Sequence, residues 1–311
     1  MEIHNNSQQF NSATPIVLTI GTFDGVHAGH LAVIDVLKEK AREIGGETAL
    51  LTFHPHPRVV LHPDNHGLKL LTSIEERAKL LEAAGLDHLI IEPFNTELSR
   101  LTPIEYVKSI FAEGIKPQVV VIGDDHRFGR NREGDFSKLV ELGKVFGFEV
   151  FSLNAEYIND IRVSSTKVRN AISQGDMRNA TSLLTKEYAI ITTVVQGNQL
   201  GRTIGFPTAN LEVDNDLKLI PSNGVYAVMV KLENQEWLPA MLNIGQRPTI
   251  SKNGKPSMEA HIFNFSSDIY NQKICVKFIE RVRDEKKFDD IRALQQALEA
   301  DQKTVLSLLQ N

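Results

Sequence analysis

Gly21-Thr22-Phe23-Asp24-Gly25-Val26-His27-Ala28-Gly29-His30 stands between a β-branched run, residues 16–21, and a segment of helical period, residues 29–44. A strand, a glycine-rich turn and a helix in that order mark the first unit of an α/β sheet, where ligands bind at the carboxyl end of the strand. Gly25 and Gly29 permit a tight turn and a close backbone approach. The helix start offers unpaired amide hydrogens and the positive end of the helix dipole, which suits phosphate. His27 and His30, three residues apart at that start, reach the same phosphate chain and can donate hydrogen bonds to an α-phosphate under attack. Helix capping or structural metal binding by the histidines is the alternative. Neither GxGxxG nor GxxxxGK[ST] occurs at the turn, which sets aside a dinucleotide-dependent dehydrogenase and a Walker-type kinase.

Outward from the turn, strand-like runs at residues 48–54, 88–94, 118–123 and 149–153 alternate with helical patterns at 74–84, 103–113 and 136–146, which predicts a parallel sheet. Ser73 ahead of Ile74-Glu75-Glu76 reads as a helix start, and Gly85 and Gly114 as helix stops. Helices are predicted from Ser164-Ser165-Thr166 onward and near residues 177–184. The texture then changes to short runs at 189–195, 225–232 and 273–279 separated by turn-rich loops such as Ser222-Asn223-Gly224 and Lys252-Asn253-Gly254, an antiparallel barrel or sandwich. Ile291, Leu294, Leu298, Val305 and Leu308-Leu309 predict an amphipathic helix within residues 288–309. The domain boundary is set near residue 186, giving 1–186 and 187–311.

Further polar motifs follow the turn. In Val163-Ser-Ser-Thr-Lys-Val-Arg169, the hydroxyls of Ser164, Ser165 and Thr166 sit at a helix start with Arg169 one turn on, an arrangement suited to β- and γ-phosphate. In Gly201-Arg-Thr-Ile-Gly-Phe-Pro-Thr-Ala-Asn210, Gly201 and Gly205 around Arg202 suit a loop folding over phosphates, while Thr208 and Asn210 offer neutral oxygens to a hard cation such as Mg2+. An ordinary polar β-turn is the alternative for that stretch.

Gly21–His30 resembles the GxFDGxHxGH signature of the nucleotidylyltransferase superfamily, Val163–Arg169 its SSTxxR element, and Gly123-Asp-Asp-His-Arg-Phe-Gly129 the GxDFxFG segment of the FMN adenylyltransferase branch. Residues 186–311 are similar to riboflavin kinase through the GRxxGxPTAN loop, Asn243-Ile-Gly-Gln-Arg-Pro-Thr249, Met258-Glu-Ala-His261 and Arg281-Val-Arg-Asp-Glu-Lys-Lys-Phe288. The resemblance, to the bacterial bifunctional riboflavin kinase and FAD synthetase family, implies a doubly wound parallel sheet of the nucleotidylyltransferase type followed by an antiparallel β-barrel with a C-terminal helix. It implies phosphorylation of riboflavin to FMN in the barrel and adenylylation of FMN to FAD, with release of pyrophosphate, in the α/β module, both with ATP and Mg2+. It further implies Glu259 as general base for the ribityl hydroxyl, Thr208 and Asn210 as metal ligands, and Arg283 beside the flavin. His27, His30 and Arg169 would act in adenylyl transfer, with Gly21, Phe23, Asp24, Gly25 and Gly29 around the nucleotide and Asp125 holding the flavin. Two departures stand out: His126 where the family carries phenylalanine, and Asn271 where Asp268-Ile-Tyr-Asn271 replaces D-x-Y-G.

The rest of the chain agrees with a soluble enzyme of small molecules. The 34 Lys and Arg against 39 Asp and Glu give a net charge of −5, which argues against general binding to nucleic acid or anionic membrane. Single Cys275 makes no internal disulfide, and the polar residues 1–15 carry no signal-peptide pattern, so a cytoplasmic monomer or weak homo-oligomer is expected. Another nucleotidylyltransferase related to tRNA synthetases lacks support in this charge. A flavin-binding regulator with decayed sites lacks support in the intact polar motifs.

Overall fold

A computed structural model describes residues 1–64, 67–123, 125–153, 163–197, 201, 204–233, 235–245 and 256–310. Its backbone falls into two compact units, Met1–Leu68 with Ile74–Ser164, and Lys69–Ser73 with Ser165–Asn311.

The first unit is built on a sheet of β1 (Glu2–His4), β2 (Ile16–Ile20), β3 (Glu47–His54), β4 (His88–Pro93), β5 (Val119–Gly123) and β6 (Glu149–Leu153) in the order β1-β4-β3-β2-β5-β6. Every pairing is parallel. Side chains alternate across the sheet: Ile16, Leu18 and Ile20 of β2 enter a core with Phe111 and Val120, while Val17 enters another with Leu37 and Val121. Both faces are therefore buried, as a doubly wound parallel sheet requires. The helices are α1 (Ala28–Ile44), the short α2 (Pro57–Leu61), α3 (Ile74–Ala83), the short α4 (Thr96–Arg100), α5 (Pro103–Tyr106) and α6 (Phe136–Phe146). Because β2 pairs with β3 on one side and β5 on the other, strand order reverses there, and the Gly21–His30 turn leaves the carboxyl end of that switch-point strand.

Two details differ from the pattern-based expectation. The predicted helix 103–113 opens with a capping box between Thr102 and Glu105, then widens to π-helical geometry over Val107–Ile115. Its left-handed terminal residue is Lys116 at φ 54°, not Gly114. Gly114 lies inside the helix, where a Cβ would press on Ser7 at 3.1–3.2 Å. The polar start of the chain, read only as lacking a signal-peptide pattern, forms β1, because an edge strand of this length draws its order from the ladder to β4.

The second unit opens with α7 (Ser165–Gln174) and α8 (Met177–Leu184). Then β7 (Tyr188–Val195), β8 (Ala209–Glu212), β9 (Gly224–Leu232), β10 (Trp237–Gly245), β11 (Ser257–Ile262) and β12 (Lys273–Arg283) close into a barrel in the order β10-β11-β8-β7-β12-β9. All its ladders are antiparallel, and closure removes the free edges an open sheet would leave. The barrel-or-sandwich alternative resolves to a barrel. The segment Lys69–Ser73 belongs here because buried Lys218 donates its Nζ protons to the carbonyls of Leu71 (2.7 Å) and Ala189 (3.0 Å).

β12 runs past the predicted end at residue 279, with ladder irregularities between Phe278 and Glu280 and between Arg281 and Arg283. The terminal helix α9 (Ile291–Leu309) lies within the predicted span and is capped by Asp290, whose carboxylate accepts from the Ala293 amide at 2.7 Å. Its Val305 packs with Phe206, Ala227, Met241 and Phe263 on the barrel. The predicted turn at 252–254 and the 246–249 part of the Asn243–Thr249 motif lie outside the described residues.

Candidate active sites

In the first unit the turn is held by left-handed backbone at Phe23 (φ 45°), Gly25 (φ 88°) and Val26 (φ 43°). Glycine takes that conformation without cost, whereas phenylalanine and the β-branched valine take it only where the surroundings impose it, as at functional turns. The rings of His27 and His30 stack at 3.7 Å, and Phe23 stacks on His30 at 4.4 Å. A Cβ at Gly29 would stand 3.3 Å from the His27 ring, so glycine there lets the imidazole lie against α1. His27 is the residue preceding α1, but its side chain makes no capping hydrogen bond, which removes the capping alternative for it. Asp24 is buried below the turn with Arg77 of α3, guanidinium to carboxylate 3.5 Å, at 1% and 3% exposure. Gly21 precedes the turn and donates its amide to the Leu51 carbonyl of β3.

The Gly123–Gly129 loop leaves the carboxyl end of β5, the strand beside β2. Phe128 anchors it, exchanging backbone hydrogen bonds with Gly134 and packing on Tyr106. Asp125 is exposed at the loop tip. His126 stacks loosely on Phe128 at 6.3 Å, and burial lowers its imidazole pKa to about 4. It is therefore a neutral ring at physiological pH, closer to the family's phenylalanine than its formal chemistry suggests.

Ser165 opens α7, with Ser164 just ahead of it and Thr166 exposed on its first turn. Arg169, one turn on, donates its Nε proton to the Lys69 carbonyl at 2.7 Å, which fixes the base of the guanidinium.

In the barrel, register brings distant residues together. Asn243 of β10 stands opposite Glu259 of β11, and Glu259 opposite Asn210 of β8. Directly paired residues of antiparallel strands project to one face, so Asn243, Glu259 and Asn210 form a row. Val225 of β9 continues it, paired with Asn243 on one side and with Arg283 of β12 on the other. Asn243, Glu259, Val225 and Arg283 line a cavity of about 240 Å³ under α9, together with Gly201, Thr208 and His261 among others, while Asn210 is buried opposite Glu259. A second cavity of about 430 Å³ is lined by Val194, Ala260, Ile262, Ser266, Asp268 and Tyr270, and Thr208 lines both. Glu259 lies within β11, which gives it a fixed register. Gly205 occupies a left-handed position (φ 83°), whereas Arg202 lies outside the described residues.

Arg283 is held by Asp301 of α9 through two contacts, Nε to Oδ1 at 2.8 Å and Nη2 to Oδ2 at 2.7 Å. His261 sits between the Phe206 and Phe263 rings, with its Nδ1 donating to the Pro207 carbonyl at 2.7 Å. That bond places the proton on Nδ1 and orients the ring beside Glu259. Asn271 takes a left-handed conformation (φ 62°), which asparagine tolerates better than other non-glycine residues, and donates its amide to the Val194 carbonyl, so the turn survives loss of the glycine.

Arg77, Asn243, Asp301 and His261 were not singled out as functional in the sequence, although Asn243 and His261 fall inside quoted motifs. For Arg77 and Asp301 a charged residue at an apolar helical position is the only local signal, and its partner is remote.

The chain matches the FAD synthetase family model over residues 9–167 and the riboflavin kinase family model over residues 184–309. It is 36% identical to a bifunctional riboflavin kinase/FMN adenylyltransferase of Pseudomonas fluorescens, covering 92% of this chain and 90% of that one. It is 37% identical to one of Haemophilus influenzae, covering 92% of each. A solved structure described as a macrolide-efflux protein from Streptococcus pneumoniae shares its fold with a TM-score of 0.84 and 29% identity, covering 98% of both chains. Among the described residues no helix is long and apolar enough to cross a membrane. With an FAD synthetase domain N-terminal and a riboflavin kinase domain C-terminal, the chain belongs to the bifunctional riboflavin kinase/FMN adenylyltransferase family.

Proposed function

We propose that residues 187–311 make FMN at the Asn243-Glu259-Asn210 row and that residues 1–186 make FAD at the Gly21–His30 turn. The observation that carries the first half is that row, a carboxylate between two amides, of which Glu259 and Asn243 line a cavity of about 240 Å³. Riboflavin enters with its ribityl 5′-hydroxyl at Glu259. The carboxylate takes the hydroxyl proton as oxygen bonds to the γ-phosphorus of ATP and ADP leaves. The larger cavity, which shares Thr208 with the first, is assigned to the nucleotide. Arg283, held by Asp301, faces the flavin.

Thr208 and Asn210 are the proposed Mg2+ ligands, and they fit the ion: two neutral oxygens two residues apart, Thr208 just ahead of β8 and Asn210 within it, the latter in register with the Glu259 carboxylate. Bound there, Mg2+ would neutralise phosphate charge.

For the second reaction, a phosphate oxygen of FMN attacks the α-phosphorus of ATP and pyrophosphate leaves. His27 and His30, stacked at the start of α1, donate to the α-phosphate oxygens, and the turn around Gly21, Phe23, Asp24, Gly25 and Gly29 shapes the approach. Asp125 is assigned to the flavin. Phosphate binding by Ser164, Ser165, Thr166, Arg169, Gly201, Arg202 and Gly205 rests on their motifs. The net charge and the lone cysteine support action on small molecules in the cytoplasm, without nucleic acid or membrane, as a monomer or weak homo-oligomer.

The test is to incubate the protein with ATP and Mg2+ and either riboflavin or FMN, and to resolve the flavins chromatographically. FMN then FAD in the first mixture, and FAD with pyrophosphate in the second, is the expected result. Flavin binding without either product would overturn the reading.

A further inference from the structure

At the end of the sheet opposite the Gly21–His30 turn, the amino-terminal residues of β4 lie between those of β3 and the edge strand β1. Glu2 and His4, two apart on β1, share a face, and Glu2 is in register with His88 of β4. Three atoms converge: His4 Nε2 lies 3.3 Å from His88 Nδ1, and Glu2 Oε2 lies 3.8 Å from each. A tetrahedral zinc with bonds of about 2.0–2.2 Å separates its ligand atoms by about 3.3–3.6 Å, so the triangle is already near the size of one face of that tetrahedron.

The surroundings repeat what lies behind ligating histidines elsewhere. Nε2 of His88 lies 3.1 Å from the Glu47 carboxylate, which puts the proton on Nε2 and leaves the Nδ1 lone pair directed at the cluster. Glu47 is held in turn by the Thr14 hydroxyl. Phe10, buried, sets its ring edge-on against both His4 (4.9 Å) and His88 (5.3 Å), limiting solvent on that side. Glu2 is exposed, which leaves a path of entry.

We propose that Glu2, His4 and His88 form a site for a zinc-class divalent cation, distinct from both flavin sites, with water completing the tetrahedron. Binding replaces the direct His4–His88 hydrogen bond, with His4 carrying its proton on Nδ1. It ties the edge strand β1 to β4, so the ion is structural. A histidine pair with a carboxylate selects zinc over Mg2+, which prefers oxygen ligands.

The experiment uses the full chain without an N-terminal tag, stripped with a chelator, titrated with Co2+ while following the visible absorption of a tetrahedral ion, and with Zn2+ against a colorimetric chelator. One equivalent is expected to bind. Glu47→Gln should weaken binding by about 10–100-fold, as loss of a carboxylate behind a ligating histidine does, and Glu2→Gln and His4→Gln by more. Glu2→Gln alters only an exposed side chain, so its effect cannot be attributed to misfolding, and both flavin activities should keep their rates in these variants. Absence of stoichiometric binding, or affinity in Glu2→Gln and His4→Gln unchanged from that of the parent protein, would overturn the proposal.

Discussion

Glu259 stands directly opposite Asn210 in the ladder between β11 and β8, although 49 positions of chain separate them in the sequence. A carboxylate fixed by register beside a neutral amide oxygen meets the needs of a base working next to a cation. Glu259→Gln keeps the size of the side chain and removes the proton acceptor. FMN formation is expected to fall by about 10²–10⁴-fold while conversion of FMN to FAD continues at its normal rate. A kinase rate unchanged in this variant would remove Glu259 from the role of base.

The stacked pair His27 and His30 predicts the reverse separation. His30→Ala removes one donor to the α-phosphate and the ring on which both Phe23 and His27 rest. FAD formation should drop by about 10²–10³-fold, the range for loss of one charge-stabilising donor, with riboflavin phosphorylation intact. Equal loss of both activities in folded protein would contradict two separate sites.

Buried Asp24 and Arg77 set a stability test. Arg77→Met leaves the Asp24 carboxylate buried without that cation, at an expected cost of about 3–5 kcal/mol. Asp24→Asn combined with Arg77→Met should cost less than the two single changes added together, because each single change strands the other's partner. Denaturant midpoints of the three variants check this.

Arg283 is fixed by Asp301 from the terminal helix. Asp301→Ala removes a bidentate charge-assisted contact of about 1.5–3 kcal/mol and lets the guanidinium swing away from the cavity. The expected reading is a rise of about tenfold or more in KM for riboflavin, with a smaller change in kcat. An unchanged KM would show that Arg283 does not meet the flavin.

His126 predicts a pH dependence. Burial lowers its pKa to about 4 from the ordinary 6.5, so between these values the unfolded chain binds a proton that the folded chain does not. Stability from this group is therefore full above about pH 6.5, declines as pH falls toward about 4, and is constant below, with at most about 3 kcal/mol at stake. His126→Phe should flatten that part of the profile. Denaturant midpoints at about pH 5 and about pH 7.5 for both proteins measure the difference, and parallel profiles would refute it.

Local signals carried much of this structure. Helix α6 spans Phe136–Phe146 and α8 spans Met177–Leu184, as their apolar spacing predicts, and Asp135 and Asp176 cap them from the adjacent position. The βα turn was legible because glycines and histidines at fixed spacing act within one turn of backbone. The same holds for the left-handed Asn271. Tertiary structure decided everything that depends on which strands pair. The π-helical widening at Val107–Ile115, the β1 strand, the extension of β12 to Arg283, and the contacts Asp24–Arg77, Arg283–Asp301 and Glu2–His4–His88 have no short-range signature. Spacing of neighbours along the chain specifies caps, turns and amphipathic faces. Register and closure are settled by packing between segments tens to hundreds of residues apart, and only there do Asn243, Glu259 and Asn210 become one row.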